Sequence, residues 1–492
     1  MNFNQNHRQF LLLTRTVLVL STVGLLFAWG TKGIAAGASE PRYIAWLMTQ
    51  GLSPYVDAWS TVSPAAIWLH ALIGFVSDFD EVGLLVWVPF IVLAPAVGSA
   101  LRTPSLLRIA GAFALVAVLG LVPLNLVTDS NLLAGVCLSG VLGSSRRVAD
   151  APDHFRASLY ALFAGVMGGA AVLLVPWLLA ILWILQVAWS WSLHRDFKGS
   201  GWYGVRRMLY ASVMSLFGTM LVIGAAGIWL LNLDVWNGLQ EGLQARYIAD
   251  WGYQYVTPSL VLALGVAATF LTGVFCARSL RYQCVVGVII SSALVTGIIL
   301  GDGASLLIAV PLVPFGWHVT ASIEAGEPKN GPLGLLLTAA FAIVSVVWVN
   351  TAEGVTQDAQ VPRAMDSVVQ RMMEFEGTSN GSVLTNHREH ELLMKARRLP
   401  GTPFLDASVV SETHSIESLR RLALNRVDQA HHNAPVWVVW NIQADERWNL
   451  LGRNPTLAVW VRSNCISANS DDSEYSAVYD LYYCGPNKDR LR

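Results

Sequence analysis

Long apolar segments alternate with short polar ones along the first 349 residues of the chain. Most of these segments approach the roughly 20 apolar residues that a helix needs to cross a bilayer core, and they predict about eleven membrane spans. The predicted spans are 10–30, 82–101, 107–127, 131–145, 157–173, 174–192, 208–231, 256–276, 283–300, 303–320 and 332–349. The pattern therefore predicts an α-helical polytopic membrane protein.

The first apolar segment has two interpretations, a cleaved signal peptide or a retained membrane helix. The letters GIAAGA at 33–38 are similar to a signal-peptide cleavage site. The apolar run before them is longer than the 7–15 residues of a usual signal core. We therefore expect a retained membrane helix rather than a cleaved leader.

Composition and charge support this class and set an orientation. Of the 492 residues, 54% are hydrophobic and only 13% are charged. Most Lys and Arg residues before position 350 fall in loops on the side of the N-terminus, while the other side holds only Lys32, Arg42 and Arg246. The positive-inside rule places the N-terminus in the cytoplasm of a plasma (inner) membrane. The apolar segments make the lipid bilayer an expected partner. Because the basic residues are dispersed, we expect no nucleic acid as a partner.

The polar character of residues 350–492 predicts a second unit, a soluble domain outside the cytoplasm. Helical patterns at 364–376 and 416–430, with strand-like runs at Val436–Ile442, Thr456–Val461 and Ala477–Tyr483, indicate an α/β domain. Its length is sufficient for a core of its own. Cys465 and Cys484 fall in it and are expected to form a disulfide in an oxidising compartment.

Residues 31–81, the first outer loop of the membrane module 1–349, are too patterned for a plain connector. Ser39, Glu40 and Pro41 predict a helix start, and Gly51 predicts its end. A second apolar run follows Pro64. We expect two short helices in the membrane interface, with their aromatic residues at headgroup level. A carboxylate at a helix N-terminus favours its ionised form, so Glu40 could act as a general base or bind a divalent cation.

The same stretch resembles the first outer loop of the GT-C glycosyltransferases, which use lipid-phosphosugar donors. The resemblance covers about 25 residues. It consists of an acid, a tyrosine, an alanine and the continuation GxxPYxD…P, which is Gly51, Pro54, Tyr55, Asp57 and Pro64 here. It implies a polyprenyl-phosphate sugar donor, a glycan, lipid or protein acceptor, and a catalytic acid at Glu40. Many members carry Asp-Glu or a lone Asp where this chain has Ser39-Glu40, so metal use by Mg²⁺ or Mn²⁺ stays open.

Within this resemblance, the catalytic candidates are Glu40, Asp57 and Asp129. Asp129 lies in TDSN between the third and fourth spans, where the GT-C pattern often has a second acid. The alternatives are that Glu40 only begins a helix, and that Asp57 and Asp129 only form turns.

A leaving lipid phosphate needs positive charge, and basic residues are scarce on the outer face. Arg42, Lys32 and Arg246 are therefore the donor-phosphate candidates. Arg246 lies in a second long outer loop, 232–256, which is aromatic and amphipathic. Tyr43, Tyr55 and Tyr247 are the candidates for substrate contact. The alternative for the second loop is an interfacial helix with a snorkelling arginine.

Three other functions are alternatives for a chain of this composition. A secondary transporter or flippase usually has ionisable residues within its spans, and here the acids cluster at the outer ends. A polymerase or ligase of lipid-linked oligosaccharides usually has its large outer loop between late spans, whereas here the large outer region is terminal. The third is a structural role. The sequence favours a membrane glycosyltransferase of cell-envelope glycan biosynthesis, with the transporter as the alternative.

Overall fold

The structure is a computed structural model. It describes residues 2–32, 39–58, 62–77, 79, 81–103, 105–122, 129–176, 178–179, 182, 201–232, 260–276, 287, 291, 303–323, 330–351, 360–376, 381–385, 390–401, 424–425, 427–432, 434–442, 455–469 and 475–485.

The described part of residues 1–351 is almost entirely helical. Its helices are α1 (Asn2–Lys32), α2 (Ser39–Thr49), α3 (Pro64–Ser77), α4 (Glu81–Arg102), α5 (Leu106–Leu119), α6 (Ser130–Asp150), α7 (His154–Leu174), α8 (Gly201–Asn232), α9 (Leu260–Cys276), α10 (Ala309–Ile323) and α11 (Gly331–Thr351). A 3₁₀ helix, Gly303–Ile308, precedes α10.

Within the described residues, four helical segments are long and apolar enough to cross a membrane. They are Gln9–Trp29, His154–Leu174, Leu209–Leu231 and Gly331–Asn350. Shorter apolar helices account for much of four other predicted spans, 82–101, 107–127, 256–276 and 303–320. Most of the predicted spans 283–300 and 174–192 lies outside the described residues. The described chain is therefore mostly helical, with four candidate membrane spans, and the number eleven stays a prediction.

Helix α5 lies at the centre of the helical part. Every residue from Leu106 to Leu119 except Arg108 is buried, and α5 shares one core with parts of α1, α4, α9, α10 and α11. A helix that is apolar all round is stable only when it is surrounded on all sides. By contrast, one flank of α1 exposes Leu12, Leu20 and Phe27. Such a flank suits contact with lipid tails.

The backbones of helices α7 and α8 lie in close contact at two glycines. A Cβ atom added to Gly165 would overlap the backbone of Ser215, and one added to Gly218 would overlap the backbone of Leu162. Thr219 Oγ1 donates a hydrogen bond of 3.0 Å to the Gly165 carbonyl. Small residues and an interhelical hydrogen bond are the usual means by which helices associate in lipid.

The tail contains α12 (Gln360–Glu376), β1 (Ser382–Thr385), α13 (His390–Ala396), β2 (Val436–Asn441), α14 (Pro455–Asn464), β3 (Ile466–Ser467) and β4 (Tyr479–Cys484). The described strands form one sheet in the order β1-β2-β4-β3. β1 runs parallel to β2, and β4 runs antiparallel to both β2 and β3. A disulfide joins Cys465, just after α14, to Cys484 at the end of β4. This is the pairing expected from the sequence.

One predicted strand of the tail is wrong. Residues Thr456–Val461 belong to α14 rather than to a strand. Leu457, Val459 and Val461 alternate as in a strand, but the buried positions are Ala458 and Val461, and Val459 is exposed. A spacing of three between buried residues is helical. Pro455 at the first helical position was the signal for this helix.

The described tail shares its hydrophobic core with the first outer loop. One cluster of buried residues contains residues 43–47 of α2 together with Val368 of α12, Leu392 of α13 and Trp437 of β2. The tail is long enough for a core of its own. In the described residues, its core also includes residues that precede it by more than 300 positions.

Candidate active site

Helix α2 begins where the sequence predicts. Its first residue is Ser39, and Glu40 is the acid of its first turn. At the other end Gly51 has φ +81°, a left-handed conformation that glycine adopts without steric cost. The Glu40 carboxylate therefore lies at the positive end of a helix dipole, just after the first span. The Glu40 side chain is half-buried.

The surroundings of α2 differ from the prediction. Tyr43, Ile44, Ala45, Trp46 and Leu47 are all buried, and they pack against the tail. The expected contact of the α2 aromatic side chains with lipid headgroups is therefore wrong, because protein covers this apolar face. The position of the first outer loop in the membrane interface stays a prediction.

The GxxPYxD segment after α2 forms a tight, strained turn. Tyr55 has φ 67°, a left-handed conformation that is unfavourable for a residue with a bulky side chain. Hydrogen bonds hold it there, from Tyr55 N to the Ala58 carbonyl at 2.8 Å and from Tyr55 Oη to the Val62 carbonyl at 2.6 Å. Strain of this kind clusters at functional sites.

Asp57 closes the same turn. Its Oδ2 accepts a hydrogen bond of 2.8 Å from Ser53 N, and its own N–H donates to the Ser53 carbonyl. Asp57 therefore stabilises a turn, which is the alternative given above to a catalytic role. Its hydrogen bonds hold the backbone segment that contains Tyr55.

The negative charge of Glu40 also acts on Tyr55. Burial raises the pKa of Tyr55 well above 10, and the Glu40 charge raises that pKa further. The Tyr55 phenol therefore keeps its proton and stays a hydrogen-bond donor. The charge at the start of helix α2 thus acts on the phenol held in the strained turn.

Arg42 is the basic residue of this site and its best-defined contact with the tail. Its Nη2 lies 2.7 Å from Oε2 of Glu391 on α13, and the side chains of Arg42 and Glu391 are only 3% and 12% exposed. The other two nitrogens, Nε and Nη1, are buried, and no residue in the described part of the chain hydrogen-bonds to them. Binding of a donor phosphate by Arg42 stays a prediction, and the N–H donors on these two nitrogens would make the contacts.

His70 of α3 is a second buried polar group beside Arg42. The side chain is fully buried, and neither ring nitrogen has a hydrogen-bond partner among the described residues. Burial, and to a smaller extent the Arg42 charge, lowers the pKa of His70 from 6.5 to about 3. His70 is therefore neutral at physiological pH.

The buried imidazole predicts acid sensitivity. The folded pKa of His70 lies below its unfolded value, so below pH 6.5 the unfolded chain binds the extra proton and stability falls as the pH is lowered towards 3. We expect a loss of about 2 kcal/mol between pH 7 and pH 5 from this residue. His70→Phe, which fills the volume without titrating, should reduce that loss in thermal unfolding measured at both pH values.

The control for this prediction is His432→Gln, because the side chain of His432 is 72% exposed. It should leave the difference between pH 7 and pH 5 as it is in the parent protein. Equal acid sensitivity of His70→Phe and the parent protein would show that His70 does not cause the loss.

Tyr43 joins α2 to the tail as well. Its Oη donates a hydrogen bond of 2.8 Å to the Arg398 carbonyl, and its ring centroid lies 6.4 Å from that of His390. Burial raises the pKa of Tyr43 well above 10, so the phenol remains a donor. Tyr43 thus fixes the approach of α13, and its contact with a substrate stays a prediction.

The other sequence-predicted residues are not brought to this cluster by the described structure. Asp129 is the N-cap of α6 and accepts a hydrogen bond of 2.7 Å from Asn131 N. Lys32 is the last residue of α1, and its side chain is not described. Arg246 and Tyr247, with the rest of the second outer loop after Asn232, lie outside the described residues.

No metal site is assembled by the described residues alone. They contain no group of three or more His, Cys, Asp or Glu side chains placed to hold a metal ion. Mg²⁺ often takes only one or two protein carboxylates, with water and substrate phosphates as its remaining ligands. A role for Glu40 as a metal ligand is compatible with that chemistry and stays a prediction.

Two members of the site, Glu391 and His70, were not found from the sequence. Glu391 is separated from Arg42 by 349 residues, and no local pattern indicates such a contact. His70 lies in the apolar stretch PAAIWLHALIGFV. A single histidine in an apolar helix was the signal available for it.

The chain matches no protein-family model, and a comparison with curated proteins finds no match. Among solved structures it is similar to ArnT from Cupriavidus metallidurans. The apo crystal structure has 12% sequence identity and a TM-score of 0.42, covering 96% of this chain and 98% of that chain. The structure bound to undecaprenyl phosphate has 12% identity and a TM-score of 0.40, covering 96% of this chain and 99% of that chain. Values this low do not establish a shared fold.

Proposed function

We propose that this protein is a membrane glycosyltransferase of the GT-C type that transfers a sugar from a polyprenyl-phosphate donor on the outer face of the membrane. The acceptor is a hydroxyl group of a glycan, a lipid or a protein. The proposal starts from the motif in the first outer loop, which the sequence shares with that superfamily. The observation that carries it further is the placement of Glu40 and Arg42 on α2, directly after a membrane-spanning helix.

Glu40 and Arg42 supply the two charges that the reaction needs. The acceptor oxygen forms a bond to the anomeric carbon, the bond from that carbon to the donor phosphate oxygen breaks, and the acceptor proton passes to the Glu40 carboxylate. The polyprenyl phosphate leaves with the electron pair of the broken bond. Arg42 stabilises its negative charge.

The N–H donors on Nε and Nη1 of Arg42 have no hydrogen-bond partner among the described residues, and this supports the part of Arg42 in the proposal. Leaving such donors of a buried charged group unpaired is costly. An anion that accepts from Nε and Nη1 would remove that cost. Lys32 and Arg246 are further phosphate ligands in the proposal, and Asp129 is a supporting acid. Tyr43, Tyr55 and Tyr247 are assigned to the substrate side.

The proposal is tested by transfer of a labelled sugar from a polyprenyl-phosphate donor in proteoliposomes containing the purified protein. We expect loss of label from the lipid donor and its appearance in an acceptor. The uncatalysed control is the same vesicle without protein. If a solute accumulates inside the vesicles while the lipid donor is not consumed, the protein is a transporter instead.

The chemistry further requires that the tail and the first loop face the outside. Val459 is 60% exposed on α14, so Val459→Cys offers a thiol on the tail surface. We expect a membrane-impermeant maleimide to label it in intact cells, above the background of the parent protein. The matched control is Arg156→Cys, at an exposed position on the predicted cytoplasmic side, which should be labelled only after lysis. Protection of Val459→Cys in intact cells would place the tail inside.

A further inference from the structure

Helix α13 of the tail contacts the helix that carries Glu40 through three different kinds of interaction. Glu391 pairs with Arg42, the backbone carbonyl just beyond α13 accepts from Tyr43, and Leu392 and Leu393 pack in the same buried cluster as Ile44 and Leu47. Among these contacts, only the Glu391–Arg42 pair involves charged groups. It attaches to α2 two residues beyond Glu40.

We propose that Glu391 is a positioning residue: through Arg42 it fixes the first turn of α2 and thereby the place of the Glu40 carboxylate. This inference rests on the proposed function for its catalytic consequence, and on the ion pair for its structural part. Glu391 does not itself touch the substrate. It acts by holding a residue that does.

The geometry of Arg42 gives Glu391 a second effect. A guanidinium group is a rigid planar fork with five N–H donors. Because Nη2 is held by Glu391, the positions open to Nε and Nη1 are restricted as well. Glu391 therefore helps to position the N–H donors on Nε and Nη1 for the donor phosphate. One carboxylate in the tail thus sets the positions of both the base and the phosphate ligand.

Because the Arg42–Glu391 ion pair is buried, a tail residue can restrict the position of Arg42. Exposed ion pairs exchange readily with water and hold geometry weakly. The Arg42–Glu391 pair is nearly closed to solvent. If the two side chains separate, little water is available to solvate their charges. The same helix also carries an exposed pair, Lys395 with Asp366, in which the Asp366 side chain is 66% exposed. That pair provides a control on the same element.

The experiment compares the full-length variants Glu391→Gln, Glu391→Asp and Lys395→Gln in lipid nanodiscs by two measurements. The first is hydrogen exchange of the backbone amides of α2, which needs no substrate. We expect faster exchange in Glu391→Gln, by about tenfold or more, and no change in Lys395→Gln. The second is kcat for sugar transfer per folded molecule. We expect a decrease of roughly 10- to 100-fold in Glu391→Gln.

Glu391→Asp keeps the charge and should recover part of both losses. It also covers the case in which Glu391→Gln does not fold. A purely structural role would lower the amount of folded protein and leave kcat per folded molecule unchanged, and this result would overturn the inference. Unchanged exchange of α2 in Glu391→Gln would overturn it as well. If the parent protein transfers no sugar, the proposed function fails, while the exchange measurement still decides whether Glu391 holds α2.

Discussion

Glu40→Gln is expected to lower sugar transfer by about 10²- to 10⁴-fold, because an amide cannot accept the acceptor proton. The substitution keeps the volume of the side chain. It also keeps an oxygen that can accept hydrogen bonds at the start of α2. We therefore expect the amount of folded protein and its thermal unfolding to remain close to those of the parent. The measurement is the initial rate of label transfer in proteoliposomes at saturating donor.

Two control variants test whether the loss of rate is specific to the Glu40 carboxylate. Asp366→Asn removes an exposed acid of the tail and should leave the rate within about twofold of the parent, since surface changes of this kind have small effects. Glu40→Asp keeps a carboxylate on a shorter side chain and should retain part of the rate. Transfer by Glu40→Gln at the parent rate would exclude Glu40 as the base.

A chelator separates the two roles considered for Glu40. If the carboxylate acts by holding Mg²⁺ or Mn²⁺, EDTA inhibits the parent enzyme, and adding either ion back restores transfer. If the carboxylate acts only as a base, the parent enzyme is insensitive to EDTA.

Arg42→Met is expected to destabilise the folded protein by about 3–5 kcal/mol, because it leaves the Glu391 carboxylate buried without its counter-charge. The Glu391 side chain is only 12% exposed. The measurement is thermal unfolding of the purified protein in detergent. The substitution should also weaken donor binding, since Nε and Nη1 are removed together with Nη2.

The matched control is Lys395→Met, which breaks an exposed ion pair of the same tail helix and should cost less than about 1 kcal/mol. The double variant Arg42→Met with Glu391→Met removes both charges. It should recover most of the lost stability, because an apolar pair of similar volume can replace a buried ion pair. Arg42→Met as stable as Lys395→Met would show that the pair contributes little.

The local features of the site could be predicted from the sequence because their causes are local. Ser39, Glu40 and Pro41 determine the start of α2, Gly51 provides the left-handed residue at its end, and Pro64 begins α3. Each is a preference of one residue for one backbone geometry. The choice of Glu40 as the candidate base follows from the resemblance to the GT-C loop, since the local signals alone leave a helix-start role open.

The environment of the site could not be predicted because its causes are distant. The face of α2 that looked suited to a membrane interface is covered by the tail, and an amphipathic pattern does not distinguish lipid from protein as its partner. The left-handed Tyr55 is another case, since the motif shows no glycine at that position. Tertiary hydrogen bonds hold it there, and these become visible only in the fold.

The core shared by α2 and the tail has a consequence for how the protein is made. The residues that cover α2 leave the ribosome more than 300 residues after α2 itself. At the usual 5–20 residues per second, synthesis of the intervening chain takes roughly 15–70 seconds. During that interval the nascent chain presents the apolar face of α2 without its cover. The site is therefore completed only after the tail has been synthesised, although α2 itself is made early.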